Sequence, residues 1–142
     1  MRFMIIVKAN AQSEAGVPPA PEAIAAMGRF NEELIAAGVL LAADGLHPSS
    51  NGARVKYEAG QITVTDGPFA ETKELIAGYW LIDAKSRDDA LAWVKRIPFE
   101  DGQEVELRKA FEASDFAVGS VTEEHLAKEK AWREENQKPI GR

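Results

Sequence analysis

The 142-residue sequence has no cysteine and only two histidines, His47 and His125. Without thiols there is no disulfide, no thiolate zinc or iron–sulfur site, and no covalent thiol mechanism. Two histidines argue against an all-protein zinc site and leave only a carboxylate-assisted one open. No segment approaches the roughly 20 apolar residues of a membrane span. The opening Met1-Arg2-Phe3-Met4-Ile5-Ile6-Val7 has one positive charge and too short an apolar run for a signal peptide. The expectation is therefore a soluble, cytoplasmic protein without a membrane partner. Positive charge is also in short supply: 17 Lys and Arg face 23 Asp and Glu, for a net charge of −6. That is the wrong sign for meeting a phosphate backbone, so nucleic acid is not an expected partner. No Gly-x-Gly-x-x-Gly follows a strand and no Walker lysine loop occurs, so no cofactor is implied. A Gly-x-Ser-x-Gly elbow is missing too.

What is present reads as a single domain, long enough to hold a core without staples. Phe3 to Lys8 is a short, β-branched apolar run, which marks a buried strand. A polar, proline-rich link, Asn10 to Pro19, leads to Pro21, placed where a first helical turn tolerates proline. Ile24, Met27, Phe30 or Asn31, Leu34 and Ile35 then recur at helical steps, and Gly38 stands where a left-handed cap is wanted. Val39 to Ala43 is a second strand. The pattern returns with a strand at Tyr79–Ala84 and a helix capped by Ser86, buried through Ala90, Trp93, Val94 and Ile97 and stopped by Pro98. Glu104 to Lys109 alternates charged and apolar residues as a half-wet strand.

Between the two units, Arg54–Tyr57 and Ile62–Thr65 form a hairpin through Ala59-Gly60. This order predicts an α+β, ferredoxin-like split βαβ sandwich with an inserted β-hairpin. Both helices cover one face of the sheet, and the other face is left open and apolar. A second copy meeting it face to face would cover it, so a homodimer is expected. Residues 112–142 form an extension with one helix, capped by Thr122 and apolar only at Leu126 and Trp132. It is expected to lie across the surface or a subunit partner.

Two segments are more specific than ordinary turns: Gly45-Leu46-His47-Pro48 after the second strand, and Asp66-Gly67-Pro68-Phe69-Ala70-Glu71-Thr72-Lys73-Glu74 after the hairpin. Together with Gly78-Tyr79-Trp80 and the stretch 38–48, they make residues 1–111 resemble the DGPF branch of the YCII-related proteins. The extension lies outside that resemblance. The resemblance implies a dimeric α+β barrel and a site built around a histidine and an aspartate, here His47 and Asp66. It also implies genes neighbouring those of extracytoplasmic-function sigma factors.

On physical grounds Asp66 has two readings. It closes a turn, with Gly67 supplying freedom, Pro68 fixing φ and Phe69 anchoring in the core, or it orients His47 as a proton carrier. His47 is a turn residue or a ligand- and proton-handling group, whereas His125 belongs to a solvated helix face. Glu71 and Lys73 decorate a surface turn or hold a substrate, Lys73 by its charge and Glu71 by sharing a proton. Arg54 is expected to pair with Asp66 across the hairpin. Tyr79, Trp80, Trp93 and Phe30 are expected as core or dimer contacts. Asn31, a buried amide beside an apolar stripe, must find partners and points to the pocket.

Two functions fit these residues. One is an enzyme performing proton-transfer chemistry, isomerase- or lyase-like, on a small molecule with His47 and Asp66. The other is a non-catalytic metabolite-binding or accessory module.

Overall fold

The computed structural model describes residues 1–116 and 120–141. The elements follow the order β1 (Arg2–Lys8), α1 (Ala11–Glu14), α2 (Pro21–Ala36), β2 (Leu40–Gly45), β3 (Ala53–Glu58), β4 (Gln61–Asp66), β5 (Ile76–Asp83), α3 (Arg87–Val94), β6 (Val105–Lys109) and α4 (Ser120–Asn136). The main sheet runs β2-β5-β1-β6 with every neighbour antiparallel. Each strand–helix–strand unit thus leaves a gap that a strand of the other unit fills, which is the ferredoxin-like α+β arrangement.

α2 begins with Pro21 in its first turn. It ends where Gly38, at φ +68°, lets its own N–H reach the Ile35 carbonyl (2.9 Å) and the Val39 N–H reach that of Leu34 (3.1 Å). Those two bonds satisfy helix-end carbonyls that would otherwise be orphaned. α2 and α3 cover one sheet face. Phe3 and Ile5 of β1, Trp80 and Ile82 of β5 and Leu40 of β2 meet Phe30, Leu34 and Ala90 there. Phe30 packs edge-on to Trp80, with centroids 5.9 Å apart. That geometry suits the ring quadrupoles. Ile24 at the start of the stripe stays 57% exposed, so the second half of α2 does the anchoring.

On the opposite face, strand alternation places Met4 and Ile6 of β1 beside Leu81 and Tyr79 of β5 and Ala42 and Asp44 of β2. Part of this face is occupied by the C-terminal segment. Arg2 donates to the Phe111 carbonyl (2.7 Å) and to Gln137 Oε1 (3.3 Å), and its backbone N–H reaches Glu112 Oε1 (3.1 Å). Farther on, the Ile140 N–H bonds the Leu40 carbonyl of β2 at 2.7 Å. α4 starts at Ser120, so Thr122, expected as its cap, falls within the helix.

The hairpin β3–β4 stands apart as a two-stranded sheet, exposed along both strands. Its turn uses two left-handed residues, Ala59 (φ +48°) and Gly60 (φ +75°), whose twist matches the flanking strands. Val55 opposes Val64 and Tyr57 opposes Ile62, so one side of the ribbon is apolar over these two pairs, with Ala53 and Asp66 at its base. The register corrects one expectation. Arg54 faces Thr65 rather than Asp66, and its guanidinium lies 3.9 Å over the Phe69 ring. Phe69 is half-buried under that cation and does not enter the core.

The hairpin is fastened at its base. Gly67 N–H donates to the Gly52 carbonyl at 2.9 Å. A Cβ on Gly67 would lie 1.8 Å from the Ser49 carbonyl oxygen, so only glycine fits. Ser49 is held in turn by Glu14: its N–H donates to Oε1 at 3.0 Å and its hydroxyl to Oε2, while the hydroxyl oxygen accepts the Phe69 N–H at 3.0 Å. Glu14 belongs to a single helical turn, α1, that the proline-rich link did not announce. Its Asn10/Ser13 capping box is what closes it.

Replacing Ser49 with Ala should cost about 1–3 kcal/mol, because the Phe69 amide and the Glu14 carboxylate each lose a partner. Urea unfolding measures the loss, and amide exchange at Phe69 should accelerate with it. Unchanged stability and exchange would show that the fastening is dispensable.

Candidate functional site

A cavity of about 590 Å³ opens where β1, β2 and β5 end beneath α2. Val7, Met27, Trp80 and Phe99 give it apolar walls, and Lys8, Asn31, Asp44, His47 and Tyr79 bring polar groups to it. Small residues of β2 and of the start of β5, among them Ala43, Gly45, Ala77 and Gly78, line it. Gly78 sits opposite Gly45 on β2, and a Cβ on Gly78 would come within 2.9 Å of the Asp44 carbonyl.

Of the residues singled out from sequence, His47 and Asn31 line this cavity and Asp66, Glu71 and Lys73 do not. His47 is exposed on the loop leaving β2, directly before the Pro48–Ser49 anchor. Asn31 accepts the Trp80 indole N–H at 2.8 Å. Because indole only donates, this bond occupies the amide oxygen and leaves the Nδ2 donors for another partner. Asp66 lies exposed at the end of β4, and among the described residues no hydrogen bond joins it to His47. Its carboxylate does not close the turn either; the Gly67–Gly52 backbone bond does. Glu71 precedes the short 3-10 turn Thr72–Glu74 and Lys73 is its middle residue, both exposed.

The carboxylate that shares the cavity with His47 is Asp44, and its partner is Tyr79, whose hydroxyl donates to Asp44 Oδ2 at 2.8 Å. Sequence reading passed over Asp44 and expected Tyr79 as a core or dimer contact. Strand alternation held the signal, since Trp80 buried on one face obliges Tyr79 to point to the other, and Asp44 is its neighbour in register. The hydrogen bond to Asp44, reinforced by the negative charge there, raises the Tyr79 pKa above the ordinary tyrosine value. Lys8 is held by Glu106 at 3.1 Å, and Glu106 also receives Arg108 at 3.1 Å. Hydrogen bonds from Lys8 and Arg108 hold the Glu106 carboxyl below its usual range, so it stays ionised.

A second groove of about 650 Å³ runs beneath α4, lined by Phe111, Phe116, Leu126 and Arg133 among others, and contains none of the sequence-singled residues. Among the described residues, no helix is long and apolar enough to cross a membrane.

The family model for the YCII-related domain matches residues 1–114. The chain belongs to the YCII-related domain family. An uncharacterized protein of Rhizobium meliloti (strain 1021) is 43% identical to it over 71 residues, a stretch covering 50% of this chain and 57% of that protein. The chain therefore spans just over half the length of this YCII-related domain's curated relative.

Raising the Tyr79 pKa means that folding favours the neutral phenol. That contribution is fully present at neutral pH and is lost as the pH climbs through the raised value. With Tyr57, the other tyrosine, replaced by Phe, phenolate absorbance should show Tyr79 ionising above the ordinary value of about 10. Adding Asp44→Ala should bring the midpoint back down. A midpoint indifferent to Asp44 would contradict the pairing.

Proposed function

We propose that the protein binds a small metabolite in the cavity under α2 and carries out proton-transfer chemistry there, with His47 as the general acid/base. The observation that carries this reading is the convergence of His47, Asn31 and the Tyr79–Asp44 pair on one partly apolar cavity of about 590 Å³. That is the size and mixture of surfaces typical of ligand sites. The motif from Asp66 to Glu74, which resembles that of the DGPF branch, then serves to fasten the loop that carries His47. An Asp66–His47 dyad would require the loop to move, whereas Asp44 already shares the cavity.

A second reading, a binding module without chemistry, is favoured by one feature. Among the described residues nothing hydrogen-bonds either ring nitrogen of His47, and a histidine in catalysis is normally oriented by such a bond. Association with a sigma factor belongs to this second reading.

A thermal-shift screen of small polar and cyclic metabolites should return compounds that raise the Tm with concentration. Gly45→Leu, which grows a side chain from a cavity-wall position with nothing within 4 Å of its Cβ, should abolish those shifts. Bound compounds should exchange a C–H proton with D2O in the presence of the native protein and not of His47→Gln. Binding without exchange selects the second reading, and hits that ignore Gly45→Leu overturn the cavity assignment.

We also propose a homodimer. The reason is the hairpin: Val55, Tyr57, Ile62 and Val64 are 47–76% exposed along one side of a ribbon that, among the described residues, has no third strand paired to it. A two-stranded ribbon is marginal alone. Light scattering at micromolar concentration should give twice the 15.5 kDa chain mass. Ile62→Lys, at an exposed position that the fold does not need, should give the monomer. A monomeric native protein would end the proposal.

A further inference from the structure

The cavity also has a sign, and this inference rests on the cavity reading above. Three lining residues can carry charge: Lys8, Asp44 and His47. Lys8 already has an ion-pair partner, because its ammonium sits 3.1 Å from the Glu106 carboxylate, which Arg108 also contacts. Asp44 has no such partner. Among the described residues no lysine, arginine or histidine lies within ion-pair distance of it. Its Oδ2 accepts the Tyr79 hydroxyl, a neutral donor that stabilises the carboxylate without cancelling it, and Oδ1 is left for something else. Of the ammonium and the carboxylate facing the cavity, the carboxylate of Asp44 is therefore the one without an oppositely charged partner, and the unmatched charge there is negative.

The remaining walls narrow the class. Trp80 and Phe99 lie 6.2 Å apart, and Tyr79 lines the cavity from the other face of the sheet, so π surfaces suited to a flat body or a cation contribute to its walls. Trp80 spends its N–H on Asn31, so the Asn31 amide offers donors and seeks an acceptor. An anionic ligand would meet Asp44 unpaired and pay for its desolvation, and a chain of net charge −6 would repel it on approach.

We propose that the ligand is a small organic cation: a protonated amine with an apolar, planar body and a hydrogen-bond acceptor. Asp44 holds the ammonium, Tyr79 positions Asp44, and the Asn31 amide donates to the acceptor. Asp44 and Asn31 are then specificity-determining residues, and Tyr79 is a positioning residue.

Three probes of nearly one shape test the sign: tyramine (cationic), tyrosol (neutral) and phloretate (anionic), titrated calorimetrically into the native protein at neutral pH. Tyramine should bind at least tenfold more tightly than tyrosol, and phloretate most weakly. Asp44→Asn, which keeps the shape and removes the charge, should bring tyramine to the level of tyrosol. Tyrosol or phloretate matching tyramine, or an Asp44→Asn variant that binds tyramine as before, overturns the inference. If none of the three binds, the metabolite screen decides. Hits sensitive to Gly45→Leu that are amines uphold the inference, and anionic or neutral hits refute it while leaving the cavity reading intact. No hit of any charge removes both.

Discussion

Ser49 is the point on which the arrangement of the site depends. Its hydroxyl and N–H are both spent on Glu14, its oxygen takes the Phe69 amide, and its carbonyl lies against Gly67 with no room for a Cβ. One residue thereby joins the single turn α1, the loop leaving β2 and the motif that follows the hairpin. The loop so fixed is the one that carries His47, two residues before Ser49. A serine hydroxyl can do this because it donates and accepts at once, which neither alanine nor a carboxylate offers. The conspicuous sequence from Asp66 to Phe69 is thus best understood as the receiving half of a clasp. Its glycine is required for closeness and its phenylalanine provides a platform for Arg54.

The two faces of the sheet divide the work. One face buries Ile5, Ile82 and Leu34 completely and supplies the stability. The other face carries groups that a core would not accept, among them Tyr79, Asp44, Lys8 and Glu106. The cavity lies where the strands run out, so it draws Trp80 and Asn31 from the buried side and Tyr79 and Asp44 from the wet side. That position lets a polar site form without leaving a buried polar side chain unpaired among the described residues.

Much of the fold was legible because its signals are local and redundant. Gly38 as a left-handed cap, Ser86 as a helix cap (bonded to the Asp89 N–H at 3.1 Å) and the Ala59-Gly60 turn are dictated by neighbouring residues alone. α1 was missed because a four-residue helix has no periodicity and its cap, Asn10, reads equally well as part of a loop. The site was less legible. His47 and Asn31 were found from residue type and position, and they do share the cavity. Asp66 drew attention through its motif, yet a motif records what is specific, and here much of that specificity concerns Gly67 and Ser49. Asp44 and Tyr79 are ordinary in sequence. They become a pair only through the β2–β5 register, in which Gly45 aligns with Gly78 and Asp44 with Tyr79.

The bond from the Ile140 N–H to the Leu40 carbonyl has a consequence for how the sheet can grow. β2 is one border of the four-stranded sheet and β6 the other. A foreign strand laid along β2 at Leu40 would have to evict the chain's own C-terminal segment, while among the described residues no strand pairs with the outer side of β6, which carries Glu106, Arg108 and Lys109. A sheet that can be lengthened from one side only cannot propagate. Two copies joined along β6 would leave each other no further border, so extension by that route stops at a closed pair instead of running on as a filament.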